Sequence, residues 1–192
     1  MDQKERVQEV TERTVVEYFD RLDALVSSGT VLYIYGGAAV AVLGSRIRTT
    51  MDIDVAEPYS RIDRAEFMVA SAKAGLPVNP DADYDSAFLE LVGAFRLCVP
   101  EPTAEKPGVV VYSGRNLTVR TGSAADLIAS KLVRYDEQDQ QDIQFLLKTG
   151  AVTLEAVKES ASRLPAAFRE DALVRENLAN LGADMKIWGV GA

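Results

Sequence analysis

Asp52 and Asp54 stand two residues apart in Asp52-Ile53-Asp54-Val55, a segment that alternates polar and apolar side chains. In an extended strand, residues i and i+2 point to one face, so both carboxylates face the same way. Like charges placed so closely repel and favour a cation between them. Such a pair can share one or two Mg2+ ions, which bridge phosphate oxygens and offset charge as a phosphorus is attacked. Upstream, Gly36-Gly37 follows the apolar run Val31-Leu32-Tyr33-Ile34-Tyr35 and precedes the small-residue stretch Ala38–Leu43. A strand that feeds a glycine turn at a helix start leaves backbone N–H groups open to a phosphate, and glycine removes the Cβ that would obstruct it. Singly, these features are also ordinary turn chemistry and solvated acid. In this order and spacing they predict phosphoryl or nucleotidyl transfer. Lys131 and Arg134, three apart in a helical stretch, fall on one helix face and make a local cationic patch. The alternative for that pair is a solvated face matched to Asp136 or Glu137.

Composition narrows the chemistry further. The 192 residues include no histidine and one cysteine, Cys98. Triads built on imidazole, HExxH zinc sites and four-cysteine metal sites are therefore excluded. Catalysis must run on carboxylates, Lys or Arg, hydroxyls and a hard metal held by oxygen. With 21 Lys plus Arg against 29 Asp plus Glu, the formal charge of -8 argues against extended DNA binding, although not against a small pocket for one nucleotide. No apolar run is long enough to span a bilayer, and Met1–Glu5 lacks a signal peptide's apolar core, so a cytoplasmic protein is expected.

The elements that must hold these residues follow from periodicity. Apolar residues at three- and four-residue steps predict a helix from about Lys4 to Val26. Val31–Tyr35 and Asp52–Val55 read as strands, and Ser60 with Asp63 as a capping box opening a helix that ends at Gly75. Phe88–Val99 predicts one or two strands, and Val109–Tyr112 with Leu117–Thr121 a hairpin. Ser123 with Asp126, and Asp139 with Asp142, predict two more capping boxes, Asp139 being the N-cap. Helices over Thr153–Leu164 and Ala166–Leu181 complete the chain. The fold class expected is α/β (α+β), a mixed sheet with flanking helices over residues 1–122 and a helical region over 123–192 that completes an active-site cleft.

The two motif blocks resemble a known superfamily. Gly36-Gly37 followed by Thr50-x-Asp52-Ile53-Asp54 is similar to the nucleotidyltransferase signature of Gly-Gly or Gly-Ser and then D-x-D on an adjacent strand. The run Asp126-Leu127, Lys131, Arg134 and Asp139-Gln140-Gln141-Asp142-Ile143 resembles the DL-x-x-x-K-x-x-R … KD-x-x-DI segment of bacterial AbiEii- and MenT-type toxin nucleotidyltransferases. The resemblance spans about Leu32–Leu147; Gln138 stands where relatives often carry Lys. It implies that Gly36 and Gly37 hold nucleotide phosphates and that Asp52 and Asp54 bind Mg2+, two ions with an NTP present. Lys131 and Arg134 would meet the triphosphate, and Asp142 would face the acceptor or orient Lys131. The implied reaction moves a nucleoside monophosphate from an NTP to a hydroxyl of an RNA end, a protein or a small molecule, with an antitoxin as partner if the chain is a toxin. Glu90 and Glu101 are the positional candidates for a third acid. Without one, the chain would bind nucleotide and catalyse poorly or not at all; the rival reading is a catalytically silent binding or regulatory, antitoxin-like module that kept the fold. Arg46 and Arg48, just ahead of the carboxylates, could meet a base, a phosphate or solvent.

Overall fold

The computed structural model describes residues 11–46 and 48–190, so the part of the first expected helix before Thr11 lies outside them, as do Met1–Glu5. The chain forms two compact units. One runs to Val92 and takes in Val110–Val119; the other consists of Gly93–Val109 and the chain from Arg120 onward.

The first unit opens with α1 (Glu12–Asp23), whose Val15, Tyr18, Phe19 and Leu22 are buried on one stripe. It stops at Asp23, short of the expected Val26, because the Asp23 carbonyl accepts from the Asn116 side chain at 2.9 Å. Next come β1 (Thr30–Tyr35), α2 (Gly36–Val42), β2 (Asp52–Ala56), α3 (Arg64–Lys73) and β3 (Phe88–Val92). The two glycines are the first residues of α2 rather than a break before it. Asp63, not Ser60, caps α3, accepting from Glu66 N at 3.0 Å. Ser60 is drawn away to β1, where its hydroxyl accepts from Tyr33 N at 3.0 Å. Only one strand arises from Phe88–Val99. The hairpin of β4 (Val109–Ser113) and β5 (Leu117–Thr121) completes a five-stranded mixed sheet ordered β3-β2-β1-β5-β4.

The remaining helices are α4 (Ala124–Lys131), α5 (Glu137–Gly150), α6 (Leu154–Ser162), α7 (Ala166–Arg169) and α8 (Ala172–Trp188). Ser123 and Asp126 form the expected capping box of α4. At α5 the cap is Asp136, whose carboxylate accepts from Asp139 N at 2.9 Å, so the helix starts earlier than an Asp139 cap predicts. The stretch expected as one helix over Ala166–Leu181 is two, because Asp171 caps α8 by accepting from Leu173 N at 2.8 Å. The architecture is mixed α/β with a helical C-terminal half, as the periodicity predicts. Among the described residues no helix is long and apolar enough to cross a membrane.

Candidate functional site

Strand register builds the acidic site in the first unit. Ile53 and Val55 of β2 are fully buried, so the alternation turns Asp52 and Asp54 to the other face, where both are half-buried. β1 pairs antiparallel with β2 and sets Tyr35 opposite Asp54, which brings the next residue, Gly36, against the Asp54 side chain. β3 pairs parallel with β2 and sets Glu90 opposite Asp54, so Glu90 faces the same side. One carboxylate oxygen from each of Asp52, Asp54 and Glu90 lies within 4.8 Å of the other two. Thr50 Oγ1 hydrogen-bonds Asp52 Oδ1, fixing that carboxylate from the residue two before it.

Gly36 of the turn has both a backbone and a steric reason. Gly36 has φ +67°, a backbone region that side chains disfavour, and a Cβ there would overlap Asp54 Oδ2. At Gly37 a Cβ would lie 2.5 Å from Arg48 Nη2. Arg48 is half-buried and its Nη1 donates to the Thr49 carbonyl at 3.1 Å.

The second unit gathers the other motif residues. Lys131, the last residue of α4, is 6% exposed, and its Nζ lies 3.1 Å from Asp139 Oδ1 and 2.6 Å from Asp142 Oδ2 on α5. Arg134 lies beyond the end of α4, so the helical spacing that predicts a shared face with Lys131 does not apply. The two cations still converge, through Asp139. Arg134 Nε donates to Asp139 Oδ2 at 2.9 Å and Nη2 to Oδ1 at 3.0 Å, a bidentate clasp. Arg134 also reaches Asp136 at 2.7 Å, one of its sequence-predicted surface partners. Burial pushes the Asp139 carboxyl up, but Arg134 and Lys131 outweigh it and hold its pKa below the ordinary range. The Arg134 side chain is 66% exposed, so of the two cations it is the one open to solvent.

Sequence spacing thus brings together Asp52 with Asp54, and Lys131 with Asp142. It underrated Glu90, Thr50 and Asp139. Glu90 becomes a neighbour of Asp54 only through parallel pairing across a long connection, which leaves no local signal. Glu101 is exposed.

The model of a family described as "nucleotidyltransferase of unknown function" (DUF6036) matches residues 13–178. The chain belongs to that family. The match takes in the glycine turn, the three carboxylates and the Lys131 cluster alike. No curated protein matches this chain. Among solved structures, the chain is similar to the antibiotic-resistance factor ANT(2'')-Ia, seen in solution, at 19% identity and a TM-score of 0.46 over 91% of this chain and 96% of that one.

Proposed function

We propose that this member of the family is a metal-dependent enzyme that transfers a nucleoside monophosphate from an NTP to a hydroxyl acceptor. One observation carries the reading: the carboxylates of Asp52, Asp54 and Glu90 converge beside the glycine turn at Gly36. Three carboxylate oxygens on a rigid strand pair are a hard, anionic donor set, suited to Mg2+, which keeps several waters and takes its remaining ligands from substrate phosphates. Magnesium bound there would supply charge neutralisation at the triphosphate and a more acidic acceptor hydroxyl.

The chain's own residues do the rest. Thr50 holds Asp52 in orientation. The Asp54 carboxylate is fixed by its seat against Gly36. As the acceptor oxygen bonds to the α-phosphorus, the bond to pyrophosphate breaks and the hydroxyl proton leaves to a carboxylate of the group. Positioning accounts for most of the acceleration in such reactions. Gly36 and Gly37 as phosphate contacts, Lys131 and Arg134 as triphosphate contacts, and Asp142 as the residue orienting Lys131 belong to this proposal on the motif resemblance. That resemblance also supports the finer reading of a toxin-type enzyme acting on an RNA end, a protein or a small molecule and restrained by an antitoxin. Glu90 next to Asp52 and Asp54 supports the enzyme over the silent-module reading.

The test is incubation of the protein with each labelled NTP, Mg2+ and cell extract. Label is expected on one acceptor class, and Asp52→Asn and Asp54→Asn are each expected to lose transfer without change in melting temperature. Transfer undiminished in both variants, or absent with all NTPs in the wild type, would overturn the proposal.

A further inference from the structure

Register carries one more side chain to the rim of the carboxylate group. Asp52 of β2 pairs with Phe88 of β3, as Asp54 pairs with Glu90. Paired residues of neighbouring strands point to one face, so Phe88 shares the face of Asp52, Asp54 and Glu90. Both strands show the same alternation: Leu89 and Leu91 are buried like Ile53 and Val55, whereas Phe88 and Glu90 are half-buried like the two aspartates. The backbone holds Phe88 in place, its N–H donating to the Met51 carbonyl at 3.0 Å. Tyr84, in the loop before β3, meets Phe88 edge to face, with ring centroids 6.4 Å apart and planes at 83°. Its N–H donates to the Asp81 carbonyl at 3.0 Å, closing the turn that presents it, and Tyr84 is 39% exposed.

A singly exposed aromatic is ordinary on a protein surface. The place of this pair is what gives it meaning. Strand order sets β1 and the glycine turn on one side of β2, and β3 with Phe88 on the other. On the nucleotidyltransferase reading, phosphates lie at the glycine turn, and in-line displacement sets the attacking oxygen opposite the departing pyrophosphate. The β3 side is then the acceptor's side. An edge-to-face contact leaves each ring at least one face that the other does not cover, and such a face stacks on a flat unsaturated ring. Asp81, Asp83 and Asp85 are exposed on the same loop, so a phosphate chain meets repulsion there rather than a partner. What the pair can hold is the ring that carries the attacking hydroxyl.

We propose that Phe88 and Tyr84 form a stacking subsite for the acceptor, which therefore bears a flat unsaturated ring beside its hydroxyl, as a terminal nucleoside or an aromatic small molecule does. The inference rests on the nucleotidyltransferase reading and narrows it, since serine and threonine hydroxyls and saturated alcohols lack what the pair binds.

The test follows transfer from a labelled NTP by the full chain as cell extract is diluted, which gives the half-saturating amount of extract, with the KM of the NTP measured beside it. Tyr84→Ala and Phe88→Ala are each expected to raise the half-saturating amount about tenfold while the KM of the NTP stays within about twofold. Phe88→Trp, which restores a ring, should recover most of the loss; Phe88→Leu, which restores only apolar bulk, should not. If Phe88→Ala does not fold, Tyr84→Ala decides, because it changes an exposed loop position. Dividing the labelled extract into RNA, protein and small-molecule fractions distinguishes the sources of the ring. Label on an RNA end or on an aromatic small molecule supports the subsite, and label on serine, threonine or a saturated alcohol overturns it. Full recovery by Phe88→Leu also overturns it. A wild type that labels nothing with any NTP overturns the nucleotidyltransferase reading and this inference together. A wild type that transfers, with alanine variants that half-saturate at the same amount of extract, overturns this inference alone.

Discussion

Two glutamates illustrate what decides a residue's part in this molecule. Glu90 lies in an apolar strand segment and Glu101 between two prolines, and only Glu90 stands in register with Asp54. Glu90→Gln is expected to lower Mn2+ affinity at least about tenfold and to abolish detectable transfer, whereas Glu101→Gln should leave both unchanged; titration of Mn2+ into each variant checks this. Asp52 and Asp54 were legible because their relation is local, two residues on one strand. Glu90 was not, because its relation is made by a parallel pairing. Asp139 shows the same limit: N-cap chemistry suits it in sequence, but in the fold it is 3% exposed and takes charge from both Lys131 and Arg134. Removing it leaves buried charge less well matched, so Asp139→Ala should cost about 3 kcal/mol, the lower end for a broken buried pair because Asp142 still serves Lys131. Its folded pKa is depressed, so its contribution is complete above the unfolded carboxylate range near ~4 and fades as pH falls through the lower folded value. Urea unfolding of wild type and Asp139→Asn should therefore differ most at neutral pH and converge in acid. A gap that widens in acid would contradict the assignment.

At the scale of elements, side chains that end or begin a helix are chosen by what competes for them. Asp136 and Asp139 could each cap α5; Asp139 is taken up by both Lys131 and Arg134, whereas Asp136 meets Arg134 with one oxygen and caps with the other. The β1, glycine-turn and β2 pattern was readable because burial and alternation are local, while the split at Asp171 and the early end of α1 depend on tertiary partners. The end of α1 is the clearest case. The Asp23 carboxylate accepts from the backbone N–H of Arg115 at 3.0 Å, Asn116 at 2.8 Å and Leu117 at 2.7 Å, stapling the β4–β5 turn to the helix. Desolvation pushes its pKa up, but these N–H donors outweigh it and hold the value below the ordinary one. A Cβ at Gly114 would overlap that carboxylate, although the backbone of Gly114 is not left-handed. Gly114→Ala and Asp23→Ala are accordingly expected to destabilise by a similar amount, about 1–2 kcal/mol after discounting for solvent screening of a half-exposed group. Thermal unfolding at neutral pH checks it; a neutral Gly114→Ala would show that the turn does not depend on the staple.

For the whole molecule, the decisive quantity is charge. A formal -8 disfavours approach of any polyanion, yet the proposed substrates are polyanions. The two requirements are compatible only if attraction is short-ranged and confined to the proposed metal site. Such contacts feel added salt little, because close, partly buried pairs are screened far less than exposed charges a Debye length apart. A basic nucleic-acid-binding surface behaves oppositely, losing about 10³–10⁵ in affinity between 50 and 200 mM salt when it makes many phosphate contacts. The expectation is that metal-dependent binding of an NTP analogue changes less than about threefold over that salt range, and that a mixed-sequence 30-base-pair duplex shows no saturable binding at about 150 mM salt. If an RNA end is the acceptor, its affinity should likewise be nearly independent of the length of the strand behind that end, since the acidic surface offers the rest of the strand nothing to hold. Fluorescence anisotropy with labelled duplex and with RNA ends of increasing length measures both. A steep salt slope, or affinity that climbs with strand length, would require an extended cationic surface, and the confinement of attraction to the site would then be wrong.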